Sequence, residues 1–251
     1  MDPANWAGLA LTSFAAAILQ ATNGFGFAVL AVPFFLMLAP PGEAIPLVVI
    51  LSLAISLLVL PRLRRSVDAR LLLRLAIGSV LGLPIGLVVF AHADPLIVRA
   101  AAGVTIAMFA AVLAWNRRHH LPARFAMRPG RDLTAGTIAG IATGLVGMPG
   151  PPVMIYLMLA RAPARTMRAT LIALFALVYA ATLAANVVFL GMPARDWPIA
   201  ASLIPLAWAG GALGLRIGDR LAERRAAALA IVVLAAAGLY TLAAAARAAL
   251  W

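Results

Sequence analysis

The chain has 251 residues, 65% of them hydrophobic and 11% charged, with a mean hydropathy of +1.04. Soluble domains sit nearer half apolar and a quarter charged, so this composition specifies a polytopic membrane protein. The net charge of +12 comes from Arg alone, and nearly all Arg lie between apolar runs, which is a positive-inside distribution and argues against a nucleic-acid partner.

Cysteine is absent, which excludes a disulfide framework, a thiolate metal site and a cysteine nucleophile. The start, Met1-Asp2-Pro3, lacks the basic region of a signal peptide, so the first apolar segment is expected to be retained. That segment, 6–39, is interrupted by Gln20-Ala21-Thr22-Asn23-Gly24-Phe25-Gly26 and ends in a Pro40-Pro41-Gly42-Glu43 turn. Spans are predicted at 44–60, 71–90 and 96–115, each close to the roughly 20 residues a bilayer requires. A basic stretch, 116–131, follows. The segment 133–160 is again apolar but carries Gly147-Met148-Pro149-Gly150-Pro151-Pro152 at its middle, a run that cannot continue a helix. Three more spans are predicted at 169–190, 198–215 and 226–246.

A break at membrane depth is tolerated only where protein or a polar cavity covers the freed backbone. Each broken segment is therefore expected to be two half-helices meeting at a tip, although a kinked helix sealed by its neighbours stays open. The halves repeat: the first Gly element and its downstream apolar run match the second at a constant offset. Gly82 and Gly86 likewise correspond to Gly210 and Gly214, small-xxx-small pairs that suit close helix packing.

Arginine sets the expected orientation. Loops 61–70, 116–131, 161–168 and 216–225 carry sixteen Arg, whereas 40–43, 91–95 and 191–197 carry only Arg195. Placing the basic loops together in the cytoplasm requires 133–160 to enter and leave on one side. The expected architecture is all-α, with a first repeat over 1–115, a basic linker over 116–131 and a second, inverted repeat over 132–251. Each repeat is a broken hairpin plus three spans.

In each hairpin the second half-helix is expected to begin at the break, around Phe27 and around Pro151. A helix N-terminus favours an anion, and in an inverted arrangement the two could meet near the midplane. Gln20, Thr22, Asn23, Gly24, Gly26 and Phe27 at the first tip, with Thr143, Gly147, Gly150 and Pro151 at the second, are the candidate substrate-binding residues. Gln20, Thr22, Asn23 and Thr143 serve equally well as caps for broken backbone. Tyr156 and Asn186 are weaker candidates, better suited to packing.

The spans hold no Asp or Glu and no His; His92, His119 and His120 all lie in loops. An internal proton relay, a metal site and a cofactor site are therefore not expected. No phosphate-binding loop is present either.

The elements Gly24-Phe25-Gly26-Phe27-Ala28 and Gly147-Met148-Pro149-Gly150-Pro151, each followed by an apolar stretch, resemble the Gly-rich element of the TauE/SafE sulfite-exporter family, in degenerate form. The resemblance implies a multi-pass carrier of the bacterial inner membrane. It would export or take up a small organic or inorganic anion such as sulfite or a sulfonate, by alternating access. The partners implied are that anionic substrate and the lipid bilayer, with no nucleic acid; a homodimer stays open. A non-transporting membrane scaffold and an intramembrane enzyme are the rival classes, the latter lacking any Ser–His pair within the spans.

Overall fold

A computed structural model describes residues 3–119, 126–191 and 193–218. Among these residues the chain forms nine α-helices and no strand. The helices are α1 (Pro3–Asn23), α2 (Phe27–Leu38), α3 (Pro41–Leu63), α4 (Ala69–His92), α5 (Pro95–His119), α6 (Pro129–Val146), α7 (Gly150–Leu159), α8 (Ala164–Ala185) and α9 (Asp196–Gly218). Five segments, carried by α3, α4, α5, α8 and α9, are long and apolar enough to cross a membrane. The predicted span 226–246 lies outside the described residues.

Local chemistry explains the boundaries. Pro41 sits at the start of α3, where no donor is needed. Asp68 caps α4 by accepting from the N–H groups of Arg70 and Leu71, each at 3.0 Å. Both predicted breaks are present. Gly24 and Gly26 adopt φ +83 and +112, and Gly147 adopts φ +71, left-handed values that only glycine takes without cost. In the first segment helix α1 runs through Gln20, Thr22 and Asn23, so the break is shorter than the polar run suggests. Short polar side chains can bond the preceding turn instead of ending a helix, as Asn23 does to the Leu19 carbonyl.

Both broken segments fold back on themselves. A Cβ at Gly8 near the start of α1 would meet Leu38 at the end of α2. At the start of α6, Asp132 accepts a hydrogen bond from Tyr156 near the end of α7.

Two helix pairs link the halves of the chain. Along α4 and α6 the glycines 78, 82 and 86 face 136, 140 and 144, in register and parallel. A Cβ at Gly82 would stand 2.1 Å from the Thr137 carbonyl oxygen, and one at Gly140 2.1 Å from that of Ser79. Along α1 and α9, also parallel, a Cβ at Gly210 would stand 2.4 Å from the Phe14 carbonyl and one at Gly214 2.6 Å from that of Ile18. Small-xxx-small spacing is therefore used for backbone-to-backbone contact, as its sequence pattern suggests.

These contacts also sort the ends of the helices onto two faces. One face collects the end of α3 and the starts of α4, α6 and α8, with Arg62, Arg64, Arg65, Arg128, Arg161 and Arg165; we call it the basic face. The opposite face collects the starts of α1, α3 and α9 with the ends of α2, α4 and α8. Helices α2 and α7 are the interior of the molecule: Phe27 through Pro33 are all buried, as are Gly150, Pro151, Val153, Met154, Tyr156 and Leu157. Leu73, Ile77, Val80, Leu81, Ile85 and Val88 form a continuous apolar stripe on the outer side of α4, 46–64% exposed, as a lipid-facing surface requires.

Candidate functional site at the broken helices

The first break opens helix α2. Helix α2 starts at Phe27, its first intrahelical bond runs from Leu30 N–H to the Gly26 carbonyl at 3.0 Å, and no side chain caps it. The N–H groups of Phe27, Ala28 and Val29 therefore have no partner within the helix, and they carry its positive dipole end. All three residues are buried.

Arg168, from the first turns of α8, lies across this break. A Cβ at Gly24 would stand 2.3 Å from Arg168 Cγ and 3.2 Å from its Cα, so the Arg stem occupies the space a side chain at Gly24 would need. Its Nη2 donates to the Ala21 carbonyl at 2.5 Å, in the last turn of α1. A guanidinium thus sits at the tip, held on the negative end of helix α1. Sequence reading counted Arg168 among the loop charges and missed it. The partner is 147 residues away along the chain, and no local pattern marks the pairing.

The remaining candidates at this tip are engaged in holding it. Gln20 is buried and donates through Nε2 to Ser56 Oγ at 3.0 Å. Thr22 donates to the Gly214 carbonyl at 3.1 Å, tying the tip to α9.

The second break differs in kind. Helix α7 opens Gly150-Pro151-Pro152, so two of its first three positions have no N–H to offer. Aliphatic and aromatic groups close it. Ile45 Cγ2 stands 3.3 Å from where a Gly147 Cβ would be, and Phe175 Cζ stands 3.2 Å from a Gly150 Cβ. Tyr179 donates to the Gly147 carbonyl at 3.2 Å. Thr143 turns back to the Ala139 carbonyl at 2.6 Å. Side chains thus seal the second tip, which is nonetheless a turn between two half-helices, α6 and α7, whereas the start of α2 at the first tip has no side-chain cap.

The breaks do not meet at the midplane, as the sequence reading had allowed. On α8 the first lies beside Arg168 and the second beside Phe175 and Tyr179, a separation of about 10–16 Å along the helix at 1.5 Å per residue. The reason is length. The leading limbs α1 and α6 have 21 and 18 residues, so each runs roughly 27–31 Å, most of a bilayer core, before it turns. The first tip lies toward the basic face and the second toward the opposite one.

Tyr156 is not at a tip. It donates to Asp132, which also pairs with Arg74 of α4 at 3.1 Å, and this cluster joins α4, α6 and α7 at the basic face. Asp132 is 1% exposed. A second ion pair, Arg195 with Glu43, joins the segment before α9 to the first turn of α3 on the opposite face. Both pairs connect the two halves of the chain, one at each face.

Among the described residues no group of three or more His, Asp or Glu could hold a metal ion. No match is found among curated proteins or among solved structures. A family model described as "Sulfite exporter TauE/SafE" matches residues 9–241. A match over nearly the whole chain agrees with the two glycine breaks and the apolar helices around them, and the chain belongs to the TauE/SafE sulfite-exporter family of membrane transporters.

Proposed function

We propose that the protein carries a small anion, sulfite, a sulfonate or a chemical relative, across the bacterial inner membrane by alternating access. The observation that carries this reading is the first break. Three buried N–H groups stand at the uncapped start of α2, and the same tip carries Arg168, which packs on Gly24 and donates to the Ala21 carbonyl. Together they offer charge and hydrogen-bond donors to an oxyanion. Gly24 and Gly26 shape that tip, Gln20, Thr22 and Asn23 hold it, and the second break supports the opposite end of the path.

In this reading residues 1–115 and 132–251 are inverted repeats around the linker 116–131. The exchanged pairing supports it: α4 lies on α6 and α9 on α1, each the fourth helix of one half against the first helix of the other. The ion pairs Arg74–Asp132 and Arg195–Glu43 hold the halves together at the two faces, and alternating access opens one while the other stays closed. With the basic face in the cytoplasm, an inside-negative potential favours export of an uncompensated anion by about 2.3 kcal/mol per charge per 100 mV.

The test is flux in proteoliposomes against a panel of sulfite, sulfate, a short sulfonate and acetate. Saturable, protein-dependent movement of at least one of them is expected. Flux no faster than empty liposomes for every anion would favour the scaffold reading instead.

A further inference from the structure

Sequence reading left Asp196 in the loop 191–197, outside the span predicted from 198. The structure makes it the first residue of α9 and of that helix's membrane-crossing segment, at the face opposite the basic one. The residue is 0% exposed, and neither Oδ1 nor Oδ2 has a hydrogen-bond partner. Its backbone N–H donates to the Pro193 carbonyl at 3.0 Å, so the turn before α9 is satisfied while the carboxyl is not. An ionised carboxylate in that position has given up water for nothing, a cost that such a group avoids by taking up a proton. An ionisable side chain at a membrane span is a functional candidate by default.

Helix α9 packs on α1 and α3. The described part of α1 carries no titratable group, and α3 brings Glu43 in its first turn. Arg195, the neighbour of Asp196 in sequence, is paired with that Glu43. Glu43 and Arg195 are accordingly the charged groups that act on Asp196. Elsewhere on this face His92 lies 2.9 Å from the Val88 carbonyl of its own helix, and Asp94 accepts from the Leu96 N–H at 2.7 Å. One arginine thus serves two acids, and it is committed to Glu43, the more exposed of them.

A cavity of about 440 Å³ borders this group. Its walls include Gly42, next to Glu43, and Pro193, whose carbonyl takes the Asp196 N–H. A further buried acceptor without a partner, Asn186 Oδ1, belongs to a residue of the same wall. Unmatched acceptors suit a proton or a cation, not an anion. Among the described residues no third acid or His joins Asp196 and Glu43 to make a metal site, which favours the proton.

We propose that Asp196 is a proton-binding site that controls the closure of this face. With the proton on, Asp196 is neutral and Arg195 stays with Glu43, tying the segment before α9 to α3. When the O–H bond breaks, the proton leaves to the aqueous phase on this face, and the carboxylate competes with Glu43 for Arg195. The Arg195–Glu43 pair then weakens and α9 is released from α3 at this end. Proton release opens the face to the anion, and proton uptake closes it. The proposal rests on the transport reading above, but protonation and closure are measurable without flux.

The experiment uses full-length protein in detergent with no anion substrate added. A single cysteine replaces Ala200, which is 1% exposed and one turn inside Asp196, and its labelling by a thiol reagent is followed from mildly acid to mildly alkaline buffer. Each rate is divided by that of the same cysteine in unfolded protein at the same pH, because the thiolate is the reacting form. The normalised rate should rise at least about fivefold with pH when Asp196 is present. It should stay low at every pH in Asp196→Asn and high at every pH in Glu43→Gln, which lacks the closing pair. Infrared difference spectra over the same range should show a protonated carboxyl band that Asp196→Asn removes. Should Asp196→Asn fail to fold, Asp196→Ser, also uncharged, takes its place. Labelling that follows pH equally with and without Asp196 overturns the proposal, as does a flat profile with Asp196 present or one set by sodium at constant pH. Closure that follows pH through Asp196, with no flux of any anion in proteoliposomes, counts against the transport reading alone.

Discussion

Single atoms decide the contacts between the halves. At Gly140 the ideal Cβ position is 2.1 Å from the Ser79 carbonyl oxygen, and the obstacle is backbone, which cannot rotate away. Gly140→Val is therefore expected to lower stability by about 1–3 kcal/mol or more, or to block assembly. Ile138→Val, on the exposed side of the same helix at 57% exposure, should be nearly neutral. Thermal unfolding followed by size-exclusion in detergent makes the comparison, and equal behaviour of the two variants would contradict the packing described. Gly24 combines a left-handed backbone with the Arg168 stem 2.3 Å from its missing Cβ, so Gly24→Ala should disturb the tip although it adds one methyl. The glycines were legible in the chain because their chemistry is local. Arg168 and Asp132 were not, because what makes each of them special is a partner from a distant helix.

Among the elements, the broken hairpins were the most legible feature, since Gly and Pro clustered within a few residues end a helix, whereas single ones such as Pro33, Gly82 and Pro84 stay inside one. Their depth was not. Where a tip comes to rest depends on how far the leading limb runs before it turns, and residues Gln20 to Asn23 stay helical through bonds to the preceding turn, to α3 and to α9. The polar cluster at the basic face gives an ordered prediction. Asp132 is 1% exposed while the Arg74 side chain is 37% exposed, so loss of Arg74 leaves the worse-placed charge behind. Arg74→Gln should destabilise by about 1–3 kcal/mol, more than Asp132→Asn, with Tyr156→Phe weakened by the loss of one hydrogen bond. Denaturation midpoints in detergent give the order, and Asp132→Asn falling below Arg74→Gln would be evidence against it. All three changes should also raise the reactivity of single cysteines placed near the starts of α4 and α6, because the closure they loosen lies there.

The molecule as a whole has a polarity of Arg that the amino-acid sequence states plainly, with Arg62, Arg64, Arg65, Arg128, Arg161 and Arg165 on one face, whereas acids lie on both, Asp68 and Asp132 on that face and Glu43, Asp94 and Asp196 on the other. The class of protein follows from this polarity and the hydropathy, whereas the difference between its two breaks emerges only from what α3 and α8 bring to each. Because the chain lacks cysteine, single cysteines at 66 and 163 can be read against ones at 42 and 93. In intact cells an impermeant thiol reagent should label the second pair and spare the first. Labelling of position 163 from outside would reverse or dismantle the proposed topology. The central claim, that an anion is held at the first break under Arg168, is tested most directly by the concentration dependence of sulfite flux in proteoliposomes. The comparison is among wild type, Arg168→Lys and Arg168→Gln, at matched insertion and unfolding temperature. The account predicts half-saturation raised at least about tenfold in Arg168→Gln, with Arg168→Lys between it and the wild type, since charge is kept but the two-pronged donor is lost. Equal half-saturation in all three proteins, with flux well above that of empty liposomes, would contradict it.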